Sequence, residues 1–405
     1  MATKPRTMAG RGRDVAARIA RFDRGRDPKL LKRKYRLMRD SPLAFARGTP
    51  ALFYADLPRH PLLRSAPPAW SAGDLHLENF GTYKGDNRQV YFDAADFDEA
   101  ALAPCTWDVL RCATSILVGA KMLRIKRPGR IELCRRFLDA YADALAAGKA
   151  RWVERETASG MIHELIDSVR KRNRRDFLDE RTVRKGRHRK LLIDGTRALA
   201  IAKADRKRIR RFMKKFAREH EDRRFFKPID VARRIAGVGS LGVERYVVLV
   251  QGRGSPDNNH LIDLKRAGVP AVRSALRLKQ PRWASEAERV VAVQTRVQAI
   301  APAFLRAVRI DGRPFVVKEL QPTSDKIYLA RWGGKPKRLE QLFGTLGEII
   351  AWGQLRSAGR DGSAPPARLI AFGARRDWRR VLLDLADRCS EALLRDWRAF
   401  REAQT

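Results

Sequence analysis

"AGDLHLENFG", residues 72–81, sets Asp74, His76, Glu78 and Asn79 within a few positions of one another, between Gly73 and Gly81. A second acidic stretch, "FDAADFDEA", follows at residues 92–100. The chain around them is strongly cationic: 86 Lys and Arg against 46 Asp and Glu give a formal net charge of +40. Carboxylates gathered so tightly in such a chain point to a site that needs them to hold a cation or to move a proton.

At 405 residues, 44% of them hydrophobic, the chain is long enough for two or three domains or one large bilobal unit. Its basic surplus favours polyanionic partners: nucleic acid, anionic lipid or phosphorylated small molecules. It is equally compatible with a solvated, Arg-rich surface. Cys105, Cys112, Cys134 and Cys389 form no C-x-x-C pair, which argues against a disulfide framework and against a cysteine zinc site. The basic start "MATKPRTMAGRGRDVAARIARF" lacks the apolar core of a secretory signal, and no apolar run is long enough to span a bilayer. The expectation is a cytoplasmic protein without a transmembrane segment.

Residues 1–25 are basic and are expected to be poorly ordered. Residues 26–225 read as a mainly helical lobe carrying both acidic motifs. It begins with "PKLLKRKYRLMRD" and "PLAFARGTPALFYADL", has short β character at "RQVYFDA", and continues through the apolar helix "PCTWDVLRCATSILVGAKML" with Pro104 near its start. Residues 128–225 read as very basic helix. Residues 226–325 read as a β-rich lobe, with strand-like runs and glycine turns, a helix capped by Ser285, and a hairpin around Asp311-Gly312. Residues 326–405 read as C-terminal helices, roughly 338–357 and 377–402, packing on the helical lobe.

"GVGSLG", residues 237–242, fits G-x-G-x-x-G. A dinucleotide-binding turn requires a helix after the third glycine. Here "VERYVVLVQG" follows, a β-rich run, so the pattern is strand, glycine loop, strand, as in the phosphate-covering hairpin of protein kinases. Gly237, Gly239 and Gly242 permit close backbone approach, and the loop's N–H groups, Ser240 included, can face phosphate oxygens. An ordinary Gly-rich hairpin is the plain alternative. The next strand, "HLIDLKRA", ends on Lys265, placed as the phosphate-pairing lysine of a kinase's third strand. An inward lysine needs a partner, and Glu286 or Glu288 on the following helix could supply it. Lys318 in "FVVKEL" is a rival. Its strand, leading into Glu319-Leu320-Gln321-Pro322, reads better as a hinge that holds an adenine.

A kinase's catalytic Asp is followed five positions later by a metal-binding Asn, and Asp74 and Asn79 have that spacing. The second metal carboxylate should follow a short hairpin, where "VYFDAADFDEA" offers Asp96, with Asp93 as the rival that closes the apolar run and Asp98 and Glu99 as weaker candidates. His76 is either a loop-shaping hydrogen bonder or a proton carrier. The pair "GDLHLEN…DFDEA" resembles the catalytic and metal loops of aminoglycoside phosphotransferases and choline-kinase-like enzymes. That resemblance implies ATP and Mg²⁺ as ligands. A metallophosphoesterase reading of Asp74-Leu75-His76 fails, because the six histidines lack the further metal-ligand contexts it needs.

"SPLAFARGTPALFYADL", "GDLHLENFGTY", "DFDEA", "WDVLRCATSI", "GVGSLGVERYVVLV", "LKRA" and "RVVAVQTRVQ" are similar, in order, to the blocks of the bacterial domain-of-unknown-function 2252 family. Asp108 and Arg111 in "WDVLR" and Arg47 in "FARGT" lie in these blocks. Asp108 resembles the Asp that braces a kinase's catalytic loop, and an ordinary helix salt bridge is the alternative.

The glycine loop follows the catalytic stretch by about 160 residues, the reverse of the kinase order. The expectation is therefore an α/β protein-kinase-like bilobal fold, circularly permuted, with additional basic helices. Its expected activity is Mg²⁺-ATP-dependent phosphoryl transfer to an unknown, anionic hydroxyl acceptor. Asp74 would act as base, Asn79 and Asp96 would hold metal, and the glycine loop and Lys265 would hold phosphates. A nucleotide-binding pseudokinase and a nucleic-acid-binding protein using its basic helices are the alternatives, the second supported by charge alone.

Overall fold

The computed structural model describes residues 8–322 and 325–403. Helices α1 (Met8–Phe22), α2 (Pro28–Asp40), α3 (Pro42–Gly48), α4 (Pro50–Ala55) and α5 (Leu62–Ser65) lead to β1 (Pro68–Ser71). A 3-10 turn at Leu77–Asn79 opens the hairpin β2 (Phe80–Lys84) and β3 (Val90–Ala94), and β4 (Ala101–Pro104) returns to pair with β1. Next come α6 (Thr106–Met122), α7 (Arg127–Ala146), α8 (Gly160–Lys171), α9 (Arg174–Asp179), the hairpin β5 (Thr182–Lys185) and β6 (His188–Leu191), β7 (Ala198–Leu199) and α10 (Lys203–Arg218). Then β8 (Pro228–Arg234), β9 (Arg245–Val250), β10 (His260–Arg266), α11 (Glu286–Val297), β11 (Arg306–Ile310) and β12 (Arg313–Glu319) precede α12 (Pro336–Arg356), α13 (Pro366–Ala374) and α14 (Asp377–Glu402).

The architecture is mixed α/β. The largest sheet has the order β11-β12-β10-β9-β8-β7, with every neighbouring pair antiparallel. Period-two alternation decides what each face carries. Tyr246, Val248 and Val250 of β9, Ile262 and Leu264 of β10, and Phe315 and Val317 of β12 pack against Ile209, Met213 and Phe216 of α10. Arg245, Asp263, Lys265, Val316 and Lys318 alternate with them and so project from the opposite face, toward the acidic loops. The helical half is centred on α6, which is predominantly apolar and buried along nearly its whole length. Helix α7 packs against it, α12 runs along α7, and α14 packs against α6, α7 and α1.

Three differences from the sequence reading have local causes. Residues 1–7 lie outside the described residues, but α1 is a formed helix whose Val15 and Ile19, one turn apart, are buried in a cluster with Leu393 and Phe400 of α14. Residues 182–191, read as basic helix, form a hairpin that turns at Gly186 with φ +58°. Finally, β7 pairs with β8 and α10 covers the sheet, so these basic segments pack with the sheet rather than with α6. Helix α10 is amphipathic: its cations face outward while Ile209, Met213, Phe216 and Ala217 face inward. The cysteines are unpaired, and Cys105, Cys112 and Cys134 are buried. Among the described residues, no helix is long and apolar enough to cross a membrane.

The first turn after α1 is pinned by a fully buried ion pair. Lys34 Nζ donates to both Asp23 oxygens at 2.7 Å, and Arg26 Nη1 lies 3.3 Å from the same carboxylate. Burial, with Arg26 adding to it, pushes the Lys34 ammonium down to about 8. Asp23→Ala strands that ammonium and should cost about 3–5 kcal/mol of stability in urea unfolding. A loss below about 1 kcal/mol, the worth of an exposed pair, would show that the pair is dispensable.

Candidate active site

Gly73 opens the acidic loop at φ +84°, and a Cβ there would come within 1.9 Å of the Glu99 carbonyl oxygen. Only glycine lets the two acidic segments pass so closely. Two residues of α6, three positions apart and so on one face, then fix the loop. Asp108 accepts from the Ala72 N–H at 2.8 Å and the Gly73 N–H at 3.0 Å. Arg111 Nε donates to Asp74 Oδ1 at 2.9 Å while its Nη2 donates to the Ala46 carbonyl at 2.6 Å. Asp108 thus braces backbone rather than forming a helix salt bridge. Asn79 ties the two acidic stretches together, donating Nδ2 to the Asp74 carbonyl at 3.0 Å and to the Asp96 carbonyl at 3.3 Å.

Burial pushes the Asp74 carboxyl up to about 6 against the pull of Arg111, so it is ionised and basic at neutral pH. His76 lies 3.8 Å from Asp74, beyond hydrogen-bond length. Burial, together with Arg47, Arg111 and Lys326, holds its imidazole well below its ordinary value and therefore neutral. Glu99 is pushed up to about 8 by burial and by Asp74, and it accepts the Ala271 N–H.

Lys265 is buried, and its ammonium is shared by Asp96, at 3.1 Å, and Asp98. Burial opposes ionisation of Asp96, but Lys265, Lys318 and Arg245 outweigh it and hold that carboxyl below the usual range. Asp98 is shifted the other way, by burial and by its neighbour Asp96. The expectation of a helix glutamate as partner for Lys265 is corrected: Glu286 pairs with Arg289 one turn along α11, and the two aspartates take the lysine.

The glycine loop joins β8 to β9, and Lys265 lies on β10, the next strand. Gly237 and Gly242 adopt φ +71° and +86°, and a Cβ on Gly239 would meet the Arg47 carbonyl at 2.8 Å. Gly237, Gly239, Ser240 and Gly242 line one wall of an open cavity of about 950 Å³, and Asp74, His76, Asn79 and Asp96 line another. A narrower recess of about 70 Å³ leads from Asn79, Asp96 and Gly237 to Lys265, Lys318 and Gln321.

The remaining expected residues go elsewhere. Asp93 faces Arg356, 3.4 Å away on α12, and lines neither the cavity nor the recess. Its separation from Asp96 follows from its place on β3, paired opposite Gly81. Glu319 accepts from Arg88 Nη1 at 2.9 Å and lies 3.0 Å from His260, so its carboxylate ties the end of β12 to the start of β10 and to the β2–β3 turn. The Gln321 carbonyl accepts from Arg234 at 2.6 Å, and its side-chain amide donates to Thr82. The segment read as an adenine-holding hinge therefore has its polar groups engaged within the protein. The sequence reading missed Lys326, which donates to the Glu78 carbonyl, lines the cavity and is lowered to about 8 by burial and by Arg47. It stands in no motif.

Among the described residues, no three His, Cys, Asp or Glu side chains are grouped to hold a metal. Asn79 Oδ1 and the Asp96 and Asp98 carboxylates nevertheless form a hard-oxygen donor set. That suits Mg²⁺, which takes one or two carboxylates and completes its shell with phosphate and water.

The sequence pattern of the bacterial family described as "Uncharacterized protein conserved in bacteria (DUF2252)" matches residues 26–403, nearly the whole chain. The chain belongs to this family. No curated protein and no solved structure matches it. In this member of DUF2252 the matched region holds every residue of the cavity wall named above.

Arg111→Gln removes the cation that restrains Asp74, so the carboxyl should titrate above 6. Carbon-13 NMR titration of the wild type and the variant checks this. An Asp74 that titrates near its ordinary value in both would contradict the buried geometry.

Proposed function

We propose that the protein is a Mg²⁺-dependent, kinase-like phosphotransferase of circularly permuted order, moving the terminal phosphoryl group of ATP to a hydroxyl. One observation carries this reading: the Asp74–Asn79–Asp96 cluster and the glycine loop line one cavity with Lys265 at its inner end, although the two halves are about 160 residues apart. Metal-and-base carboxylates, a flexible backbone roof and a third-strand lysine are the parts that phosphoryl transfer uses.

Asp74, held by Arg111 and backed by Asp108, accepts the acceptor hydroxyl's proton as the new P–O bond forms and the bond to the departing diphosphate breaks. Asn79 Oδ1, Asp96 and Asp98 would hold Mg²⁺, which when bound neutralises phosphate charge. Lys265 turns from the aspartates to the phosphates. His76, neutral and beyond hydrogen-bond length of Asp74, shapes the loop rather than carrying the proton. Recognition of the donor rests on its phosphates, since Arg234 holds the Gln321 carbonyl. On the outer wall Arg24, Arg233 and Arg266 have no carboxylate within ion-pair distance among the described residues, which favours an anionic acceptor.

Asp74→Asn should slow transfer roughly 10²–10⁴-fold, the worth of a positioned base, and leave Mg-ATP binding nearly intact. ATP hydrolysis by the purified protein serves as the first assay. The wild-type rate should rise as pH passes about 6, because protonated Asp74 cannot accept a proton. A flat profile between pH 5 and 8, with Asp74→Asn at the wild-type rate, would leave a nucleotide binder without transfer. Mg-ATP at about 100 times its Kd should raise stability by roughly 2.7 kcal/mol, and Lys265→Met should reduce that gain. An equal gain in both proteins would remove Lys265 from the site.

A further inference from the structure

Beside the recess, sharing Gln294, Lys318, Gln321 and Pro322 with it, lies a half-enclosed cavity of about 170 Å³. Asp74, Asp96 and the glycine loop do not line it. Tyr83, Phe177 and Leu320 give it apolar walls, and Lys84, Arg172, Arg174 and Lys318 give it four cations. Its two carboxylates are already committed. Glu319 is held by Arg88 at 2.9 Å and contacts His260, and Asp325 receives both Arg172 nitrogens at 2.8 Å. None of Lys84, Arg174 and Lys318 has a carboxylate within ion-pair distance among the described residues. Arg174 reaches only the Asn259 carbonyl at 3.5 Å, and Lys318 only the Ala95 carbonyl at 3.4 Å.

Three half-buried or buried cations around one recess are costly unless something neutralises them. Burial holds Lys84, Arg174 and Lys318 all below their ordinary values, outweighing the pull of Glu319 on the first two and of Asp96 and Asp263 on Lys318. The fourth cation of the lining shows the contrast: Arg172 meets Asp325, whereas the other three meet no carboxylate within ion-pair distance among the described residues. A cavity with apolar walls and a few convergent charged groups is the usual form of a small-ligand site.

We propose that this cavity is a second binding site, for a small organic anion with a flat apolar body and a carboxylate or phosphate head, seated between Tyr83 and Phe177 with its head on Lys84, Arg174 and Lys318. Lys318 also lines the recess that holds Lys265 and Asp96, so an occupant here touches a residue of the catalytic neighbourhood. The site stands on its own geometry and does not depend on phosphoryl transfer.

Phenyl phosphate and benzoate are the probes, with benzyl alcohol as the uncharged control, measured by isothermal titration on the full chain. The site predicts saturable binding of one or both anions and none of the alcohol. Lys84→Gln and Arg174→Gln should each raise Kd about ten-fold or more, the loss of a charge-assisted hydrogen bond. Lys265→Met should leave Kd unchanged. Each of the two cavity variants should also keep or raise Tm, because it removes a charge that burial disfavours and no ion pair holds. A fall in Tm would show that these cations are structural. Anion binding lost in Lys265→Met but kept in Arg174→Gln would move the anion to the catalytic cleft. No saturable binding of either anion would overturn the proposal.

Discussion

Lys265 brings a positive charge to the inner face of the sheet, where an unpaired ammonium would be costly. Its neutralisation by Asp96 and Asp98 joins β10 to the loop that follows β3. That contact spans about 170 residues of sequence and fixes how the sheet sits over the acidic loops. Because Lys265 must face inward, period-two alternation turns Asp263 and Lys318 inward with it and sends Ile262 and Leu264 outward to α10. The charged lining of the cleft and the apolar seat of the basic helix α10 are thus two consequences of one strand register.

The same register explains how so cationic a chain builds an acidic centre. Asp263 lies between Arg234 and Arg245, Asp96 and Asp98 share Lys265, and Asp74 is held by Arg111. Each inward carboxylate has a cation beside it, so most of them stay ionised despite burial. Glu99 and Asp108 are the exceptions: both accept from backbone N–H groups, and burial shifts both carboxyls up, Asp74 adding to the effect at Glu99. In the proposed reaction Asp96 and Asp98 would hold Mg²⁺, and Lys265, released from them, would pair with the phosphates of the ligand.

Much of the lining of the candidate site was legible because it is encoded locally. The Asp74-to-Asn79 spacing, the glycine loop between two strand-like runs, and Lys265 closing an alternating strand are all short-range patterns, and the structure lines one cavity and its recess with them. What was not legible depends on long-range pairing. The sequence offered Asp93 and Asp96 as near equals, and only the opposition of β3 to Gly81 shows that Asp93 turns toward Arg356. Glu286 was the natural partner for Lys265 by kinase analogy, but Arg289 on the same helix takes it. The segment Glu319–Gln321 read as an open hinge, and nothing local announces that Arg88, His260 and Arg234 occupy its polar groups. Residues 182–191 were read as helix within the basic run 128–225; Arg and Lys favour helix, but Gly186 marked the turn that formed.

The central claim is that Lys265 lies against the phosphates of a nucleotide bound between the glycine loop and the Asp74 loop. An acyl phosphate of ATP, which acylates amines next to bound phosphates, tests it directly when the labelled lysines are mapped by peptide mass spectrometry. The account predicts preferential modification of Lys265, dependent on Mg²⁺ and suppressed by excess Mg-ATP. Labelling spread over surface lysines, with Lys265 untouched and no protection by Mg-ATP, would contradict it.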